Sequence, residues 1–209
     1  MYSDAVARIR LSVAERREEL LSAAVRQIEE RGVAALRIAD VAKELGISNA
    51  LVLYHFDTKE KLVSAAFAHA AESDLNKLSA LLSRRGPALK RLRSAVRWYA
   101  PTGQAKGWRL WIEGWAASLR EPELRAVSEN LDRRWKAAIA EVIEEGVTAG
   151  EFACEDPRGA AWRLSAFIDG LAVQMTAYPQ ALGRRRMETW VDEALARELG
   201  LDHAPRATR

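Results

Sequence analysis

A single cysteine, Cys154, stands in the 209 residues of the chain, so no internal disulfide can form. No histidine or second cysteine lies near it at metal-ligand spacing, which removes zinc sites and disulfide scaffolds and leaves Cys154 as a partly buried small apolar residue. Histidine is nearly as scarce: His55, His69 and His203 are the three present. None pairs with the cysteine or with a serine elbow, and the chain has no glycine-rich phosphate loop and no H-E-x-x-H, so neither an enzyme centre, a metal site nor a bound cofactor is expected. No apolar run approaches the roughly 20 residues that cross a bilayer, and residues 1–10 show no apolar stretch of signal-peptide type. A soluble, cytoplasmic protein without a membrane partner is the expectation. Alternating apolar and polar segments bounded by hairpin turns are also missing, as are internal repeats and low-complexity stretches.

What is present is 49% hydrophobic and 29% charged residues, enough to bury a real core. The net charge of +3 mildly favours an anionic partner, but its distribution matters more. In the first sixty residues Glu18, Glu19, Glu29, Glu30 and Glu44 offset Arg16, Arg17, Arg26, Arg31 and Lys43, so affinity for nucleic acid must come from placement. The longest run of one sign lies at 75–112, where Lys77, Arg84, Arg85, Lys90, Arg91, Arg93, Arg97, Lys106 and Arg109 occur with no acid among them. It reads as a solvated helix face.

Helical punctuation recurs along the whole chain, and the fold class is all-α, with roughly nine helices expected from the caps and breakers. Ser12 and Glu15 have the spacing of a capping box, and Leu21, Ala24, Val25 and Ile28 then repeat at helical spacing as far as Gly32. A short helix over 38–45 has Ile38, Val41, Ala42 and Leu45 on one side, with Gly46 placed to take the left-handed conformation that stops it. Ser48 caps a third helix and Thr58 a long fourth one to about 83. Gly86-Pro87, Pro101-Gly103, Pro122, Gly150, Asp156-Pro157, Pro179, Gly183 and Gly200 mark the remaining boundaries. This organisation divides the chain into a three-helix domain over 1–57, a larger helical domain over 58–200 and a tail over 201–209.

The informative stretch is 36–62, LRIADVAKELGISNALVLYHFDTKEKL. Two short amphipathic helices joined by Gly-Ile-Ser form a helix-turn-helix: the glycine allows the turn, Ile47 plugs the angle, and Ser48 starts the second helix. That second helix, 48 to about 54, is the candidate reader of a duplex. Val52 and Phe56 are expected inward, leaving Asn49, Ala50, Leu53, Tyr54 and His55 on or near the outward side. Asparagine can bond adenine through two atoms, alanine allows close approach or touches a thymine methyl, and tyrosine or histidine can bond phosphate. Lys59 adds a cation in a first helical turn, where backbone N–H groups already favour an anion. Arg8 and Arg10, ahead of the first cap, read as a plain tail before an arm that enters a minor groove.

At these residues the chain resembles the TetR family of transcriptional regulators: VAKELGIS followed by YHF and TKEKL matches that family's N-terminal signature over about 15–63. The resemblance implies a homodimer that binds a double-stranded DNA operator and answers a small molecule, with repression the usual role and activation or a protein-binding helical adaptor as the alternatives. It implies that Ser48, Asn49, Ala50, Tyr54, His55 and Lys59 face DNA while Val41, Ala42, Gly46, Val52, Phe56 and Leu62 hold the fold. Two positions depart from the family pattern. Arg37 stands where a threonine usually caps the second helix and touches phosphate, and Leu53 stands where a phosphate-binding tyrosine is usual.

The C-terminal half is rich in tryptophan. Trp108, Trp111 and Trp115 recur on one helix face, and Trp98, Trp135 and Trp162 lie on helices able to surround them. Either a solid core or an apolar-walled cavity closed by Arg109, Glu113, Asp169 or Gln174 follows. Asp169, in the otherwise apolar stretch 166–175, demands a partner, because an unpaired buried carboxylate is costly. The surroundings of Trp111, Gly150-Glu151-Phe152 and Asp169-Gly170-Leu171 resemble the subgroup containing choline-responsive repressors, which implies a largely apolar or cationic ligand such as a quaternary amine. Two further stripes, Leu164, Ile168, Leu171 and Met175, and Met187, Trp190, Val191 and Leu195, supply the four-helix dimer interface that the resemblance implies.

Overall fold

The computed structural model describes residues 11–101, 107–180 and 182–201. Arg8 and Arg10, Lys106 and the expected tail beyond 201 lie outside the described residues. Among those described there are nine helices and no strand, and no helix is long and apolar enough to cross a membrane.

The first three helices form one layer. α1 (Val13–Arg31) opens on a complete capping box between Ser12 and Glu15 and buries Leu20, Ala23, Ala24 and Ile28. α2 (Ile38–Leu45) starts at Arg37, whose side chain makes no cap, as expected of a residue with no acceptor. Gly46 ends it at φ 63, ψ 37, with its own N–H on Lys43 O and that of Ile47 on Ala42 O, the paired closure that glycine permits most cheaply. Ser48 caps α3 (Asn49–Phe56) through Leu51 N; α3 runs two residues beyond the expected end.

Between α3 and α4 (Lys59–Leu82) stand the N-cap Thr58 and, before it, Asp57. Its φ of 58 and ψ of −51 make it the one non-glycine residue at positive φ among those described. The N–H of Thr58 reaches back to Phe56 O at 2.6 Å, which closes a γ-turn of the strained, positive-φ kind. The Asp57 carboxylate also bonds the Lys61 amine at 2.9 Å, and Thr58 caps α4 through Lys61 N.

The remaining helices are α5 (Ala88–Tyr99), α6 (Trp108–Ser118), α7 (Pro122–Thr148), α8 (Pro157–Ala177) and α9 (Arg184–Leu199). α4 is the common element: it lies against α1 on one side and against α5, α6 and α7 on the other, so Phe67 at its middle is almost wholly buried. α8 and α9 close the far side against α7 and α5. The basic run of 75–112 is not simply a solvated face. Arg91 pairs with Glu145 at 2.5 Å, and Arg93 and Arg97 reach Asp192 at 3.8 and 3.5 Å, so part of it ties α5 to α7 and α9. Cys154 is buried, and its burial pushes the thiol up from its ordinary value.

α4 and α6 approach closely because Gly114 has no side chain. An ideal Cβ there falls 2.4 Å from Cε2 of Phe67, a distance no real pair tolerates. Gly114→Ala is expected to destabilise the fold by about 1–3 kcal/mol, as overpacking does, and thermal unfolding should shift downward accordingly. Recovery of part of that loss in a Gly114→Ala, Phe67→Leu double variant would show that the ring is the obstacle; an unchanged midpoint in the single variant would refute the account.

Candidate nucleic-acid interface and ligand cluster

On α3 the buried pair Val52 and Phe56 fixes which side faces out. Ser48, Asn49, Ala50, Leu53 and Tyr54 are exposed, Tyr54 to 74%, and His55 is half-buried. These residues make up the exposed surface of α3 and its cap. Burial, with the nearby Arg17 and Arg16, lowers the His55 pKa from its ordinary 6.5, so at neutral pH the ring is an uncharged donor and acceptor. Lys59 is half-buried and its amine donates to Ala34 O at 3.1 Å; an ammonium has three donors, so two remain for a phosphate. Arg37 is exposed.

Sequence reasoning passed over Arg17. Its guanidinium lies 4.4 Å from the centre of the Phe56 ring and donates to His55 O at 3.1 Å, at the end of α3 where carbonyls lack intrahelical donors. The signal was only a basic pair on the exposed face of α1, lost among balancing acids.

The second cluster is internal. Tyr99, at the end of α5, was not among the candidates, yet it is the centre of the aromatic group. Its ring lies 4.6 Å from that of Trp108 and 4.3 Å from that of Trp135, with Trp98 6.3 Å from Trp135. Trp108 donates its indole N–H to Tyr99 O at 3.2 Å. Farther along α6, Trp111 lies edge-on to Phe67 at 5.0 Å and 5.9 Å from Trp115. Tyr99 donates its hydroxyl to Asp169 at 3.2 Å, and Trp111 donates its N–H to Asp74 at 3.1 Å. The expected partner of Asp169 is therefore intramolecular.

These acids sit in a costly place. Burial pushes Asp169 up from 3.8 to about 7, with Tyr99 pulling the other way and Asp132 adding to the rise. Burial likewise raises Asp74 to about 6, against the Trp111 hydrogen bond and with help from Glu29. Tyr99 is held well above its ordinary value, first by burial and then by Asp169, Asp74 and Asp132. Lys136 lowers Asp169 only from the side: its amine pairs with Asp132 at 2.7 Å and lies 3.8 Å from the Trp162 ring centre. Carboxyl groups and π-faces thus converge, with the Lys136 ammonium already engaged by Asp132 and Trp162, an environment suited to an organic cation.

The apolar space bordered by Tyr99, Trp135, Leu92 and Ile168 is about 10 Å³, room for about one water molecule and far too little for an organic ligand. Ser165 Oγ at its wall has no hydrogen-bond partner. In this state the tryptophan region is solid. From outside, an open groove of about 290 Å³ between α1, α4 and α6 reaches Asp74 and Trp111.

Three expected members of the ligand site do not join it. Trp162 is 59% exposed and Gln174 lies on the outer face of α8. Glu113 points away from the aromatics towards the turn after α1, where it accepts from Val33 N. The expected dimer stripes also need correction. Leu164, Ile168, Leu171, Met187, Val191 and Leu195 are buried inside the protomer, because α7 and α5 already cover that side of α8 and α9. Met175 is partly buried, and Trp190 alone of the eight keeps a large exposed area, 37%. The other face of the two helices carries Trp162, Phe167, Val173 and Trp190 as exposed apolar side chains, and Phe167 and Trp190 line a groove of about 390 Å³. The Gly150-Glu151-Phe152 pattern is structural here. Glu151 accepts from Ala88 N and Leu89 N at 3.0 and 3.3 Å, serving the start of α5 where Pro87 offers no cap.

Comparison with known proteins agrees with this anatomy. Residues 20–66 match the family model described as bacterial regulatory proteins, tetR family, and residues 88–200 match that of the BetI-type transcriptional repressor, C-terminal. The HTH-type transcriptional regulator BetI of Paraburkholderia phymatum is 32% identical over 167 residues, 75% of this chain and 79% of that one. BetI of Pseudomonas aeruginosa is 27% identical over 197 residues, 88% and 95% of the two chains. Among solved structures, a transcriptional regulator from Saccharomonospora viridis in complex with choline superimposes with a TM-score of 0.79 at 32% identity, over 86% of this chain and 95% of that one. A TetR transcription regulator from Haloarcula marismortui gives 0.78 at 21% identity, over 90% and 97%, which speaks for the fold alone.

Proposed function

Because the chain belongs to the tetR family of bacterial regulatory proteins and carries a BetI-type repressor C-terminal region, we propose that it represses transcription in the cytoplasm as a cation-released homodimer. Two copies of α3 read successive major grooves of a pseudo-palindromic operator, about 34 Å apart. The domain over 1–57 reads, and that over 58–200 senses and dimerises. The ligand is a small quaternary ammonium compound of the choline type, held by the rings of Tyr99, Trp108 and Trp135 with Asp169 and Asp74 as counter-charges. The observation that carries this reading is the pair of part-buried carboxyls, Asp169 bonded to Tyr99 and Asp74 bonded to Trp111, beside the tryptophan and tyrosine rings. The likeness to a regulator solved with choline supports it.

The closed state of the cluster accounts for the response. A cation that fits only after the helices part selects a different arrangement of α4 to α8, and the difference in affinity between the states is the coupling free energy. Typical coupling of about 1–3 kcal/mol implies that saturating choline weakens operator binding about 5–150-fold. The test is fluorescence anisotropy of a labelled operator from the flanking DNA, with choline chloride against sodium chloride at equal ionic strength. A cation that quenches tryptophan fluorescence yet leaves operator affinity unchanged refutes release. Absence of salt-dependent duplex binding refutes the DNA reading.

Residue roles on the reading face separate in the same assay. Asn49→Ala is expected to lose discrimination by about 1–3 kcal/mol at one base position, whereas Lys59→Ala weakens all duplexes alike and reduces the salt slope by about one unit. A change in base preference on Lys59→Ala would contradict this division.

A further inference from the structure

α6 has two working faces. Trp108, Trp111 and Trp115 occupy one, in contact with Tyr99, Asp74 and Phe67. Arg109 and Glu113 lie roughly on the opposite one, one turn apart and paired to each other at 3.2 Å. The arginine donates to Glu30 O at 3.1 Å and reaches Glu29 O at 3.5 Å, both at the C-terminal end of α1. The glutamate accepts from Val33 N, just past the turn. The pair therefore takes up the orphan carbonyls of α1 and the first amide of the α1–α2 connection in one grip, with a cation placed at a helix C-terminus.

The chain makes room for this grip. Gly32, at φ 87, would place an added Cβ 2.6 Å from both carboxylate oxygens of Glu113, so any side chain there expels the glutamate. α1 also packs along α4, but that packing thins out beside the grip. Beside the grip lies an open cleft of about 350 Å³, bordered by Val33, Ala34, Lys59, Val63, Glu113 and Arg120. At this corner the grip adds hydrogen bonds to the contacts that α1 makes with α4 and α6.

We infer that Arg109 and Glu113 are positioning residues that set the angle of the reading layer on α6 and so determine which half-site spacing the dimer accepts. Neither touches the outward face of α3. Their effect reaches DNA only through the attitude of the layer that carries it. The inference rests on the regulator reading above and adds spacing selectivity to it.

The experiment is a panel of operators whose half-sites are moved apart or together by one and two base pairs, measured by anisotropy with the full-length dimer and without added cation. The wild-type protein is expected to prefer one spacing by about 30-fold or more over its neighbours, since each reading helix must meet its own groove. Glu113→Ala should reduce that preference to less than about 5-fold while base preference within each half-site stays as in wild type. Arg109→Ala breaks the grip while leaving the acceptor of Val33 in place, and should lie between. Glu113→Gln keeps an acceptor for Val33 and should recover much of the selectivity lost in Glu113→Ala. Thermal unfolding identifies the folded variants. Folded variants that retain wild-type spacing preference overturn the inference alone. A wild-type protein that binds no duplex overturns the regulator reading, and this inference with it.

Discussion

Asp169→Asn is expected to weaken choline binding roughly 30-fold or more, about 2 kcal/mol, while leaving operator affinity in the absence of cation within about threefold of wild type. The asparagine can still accept from the Tyr99 hydroxyl, so the hydrogen bond at 3.2 Å survives and only the charge is removed. The magnitude follows from where the charge sits: a carboxylate in a poorly solvated aromatic group attracts a cation far more strongly than one in water. The pH dependence supplies an independent check. With Asp169 raised to about 7, the cation must displace a proton below that pH, and its affinity should fall towards tenfold per unit, more steeply below about 6 once Asp74 joins. Asp169→Asn should flatten the upper part of that profile.

Linkage also fixes the sign for stability. Both carboxyls bind protons more tightly in the folded chain than in the unfolded one, so their contribution is full below about 4 and is lost as pH rises through about 6 for Asp74 and about 7 for Asp169. The cation-free protein should therefore lose a few kcal/mol across that window, and Asp169→Asn should melt higher than wild type at pH 8. Added choline should raise the wild-type midpoint more at pH 8 than at pH 5. An Asp169→Asn variant with wild-type choline affinity and an unchanged pH profile would remove the aromatic cluster from the ligand reading.

The second large effect is expected at the outer face of α8 and α9. Phe167→Glu should convert the dimer to a monomer at micromolar concentration and lower operator affinity by about 100–1,000-fold, because one reading helix then binds one half-site. Phe167 is exposed to 36% and shares its groove with Trp190, so a carboxylate there costs the protomer little and an apolar two-fold contact much. Light scattering reads the mass, and footprinting reads whether one half-site remains protected. A dimeric, folded Phe167→Glu variant would move the self-association surface elsewhere.

The dimer face shows what periodicity can and cannot tell. A helical stripe reveals that Leu164, Ile168, Leu171, Val191 and Leu195 are covered, but α7 and α5 cover them as readily as a second copy would. Both faces of α8 are apolar, since Phe167 and Val173 flank the same turns, so spacing alone could not rank them. The helix boundaries of the reading layer were largely legible because their signals are local, whereas Arg17, which acts on His55 O 38 positions away, was not. Ser12 with Glu15, Gly46 and Ser48 act on amides within a few residues, and local chemistry survives folding. Tyr99, Glu113 and Glu151 act on groups 70, 80 and 63 positions away, and nothing near them in the sequence marks those partners. Arg109 and Glu113 look like an ordinary exposed pair until the chain brings Val33 to them.

The two-residue joint of Asp57 and Thr58 has a mechanical consequence. With Phe56 anchored in the core on one side and a 24-residue helix beginning at Lys59 on the other, little slack chain is available to absorb a rotation. A tilt of the long shaft therefore carries the probe joined to its end. Ångström-scale motion deep in the molecule is thereby delivered at the groove without backlash, and a protein of this modest size can act as a sharp switch.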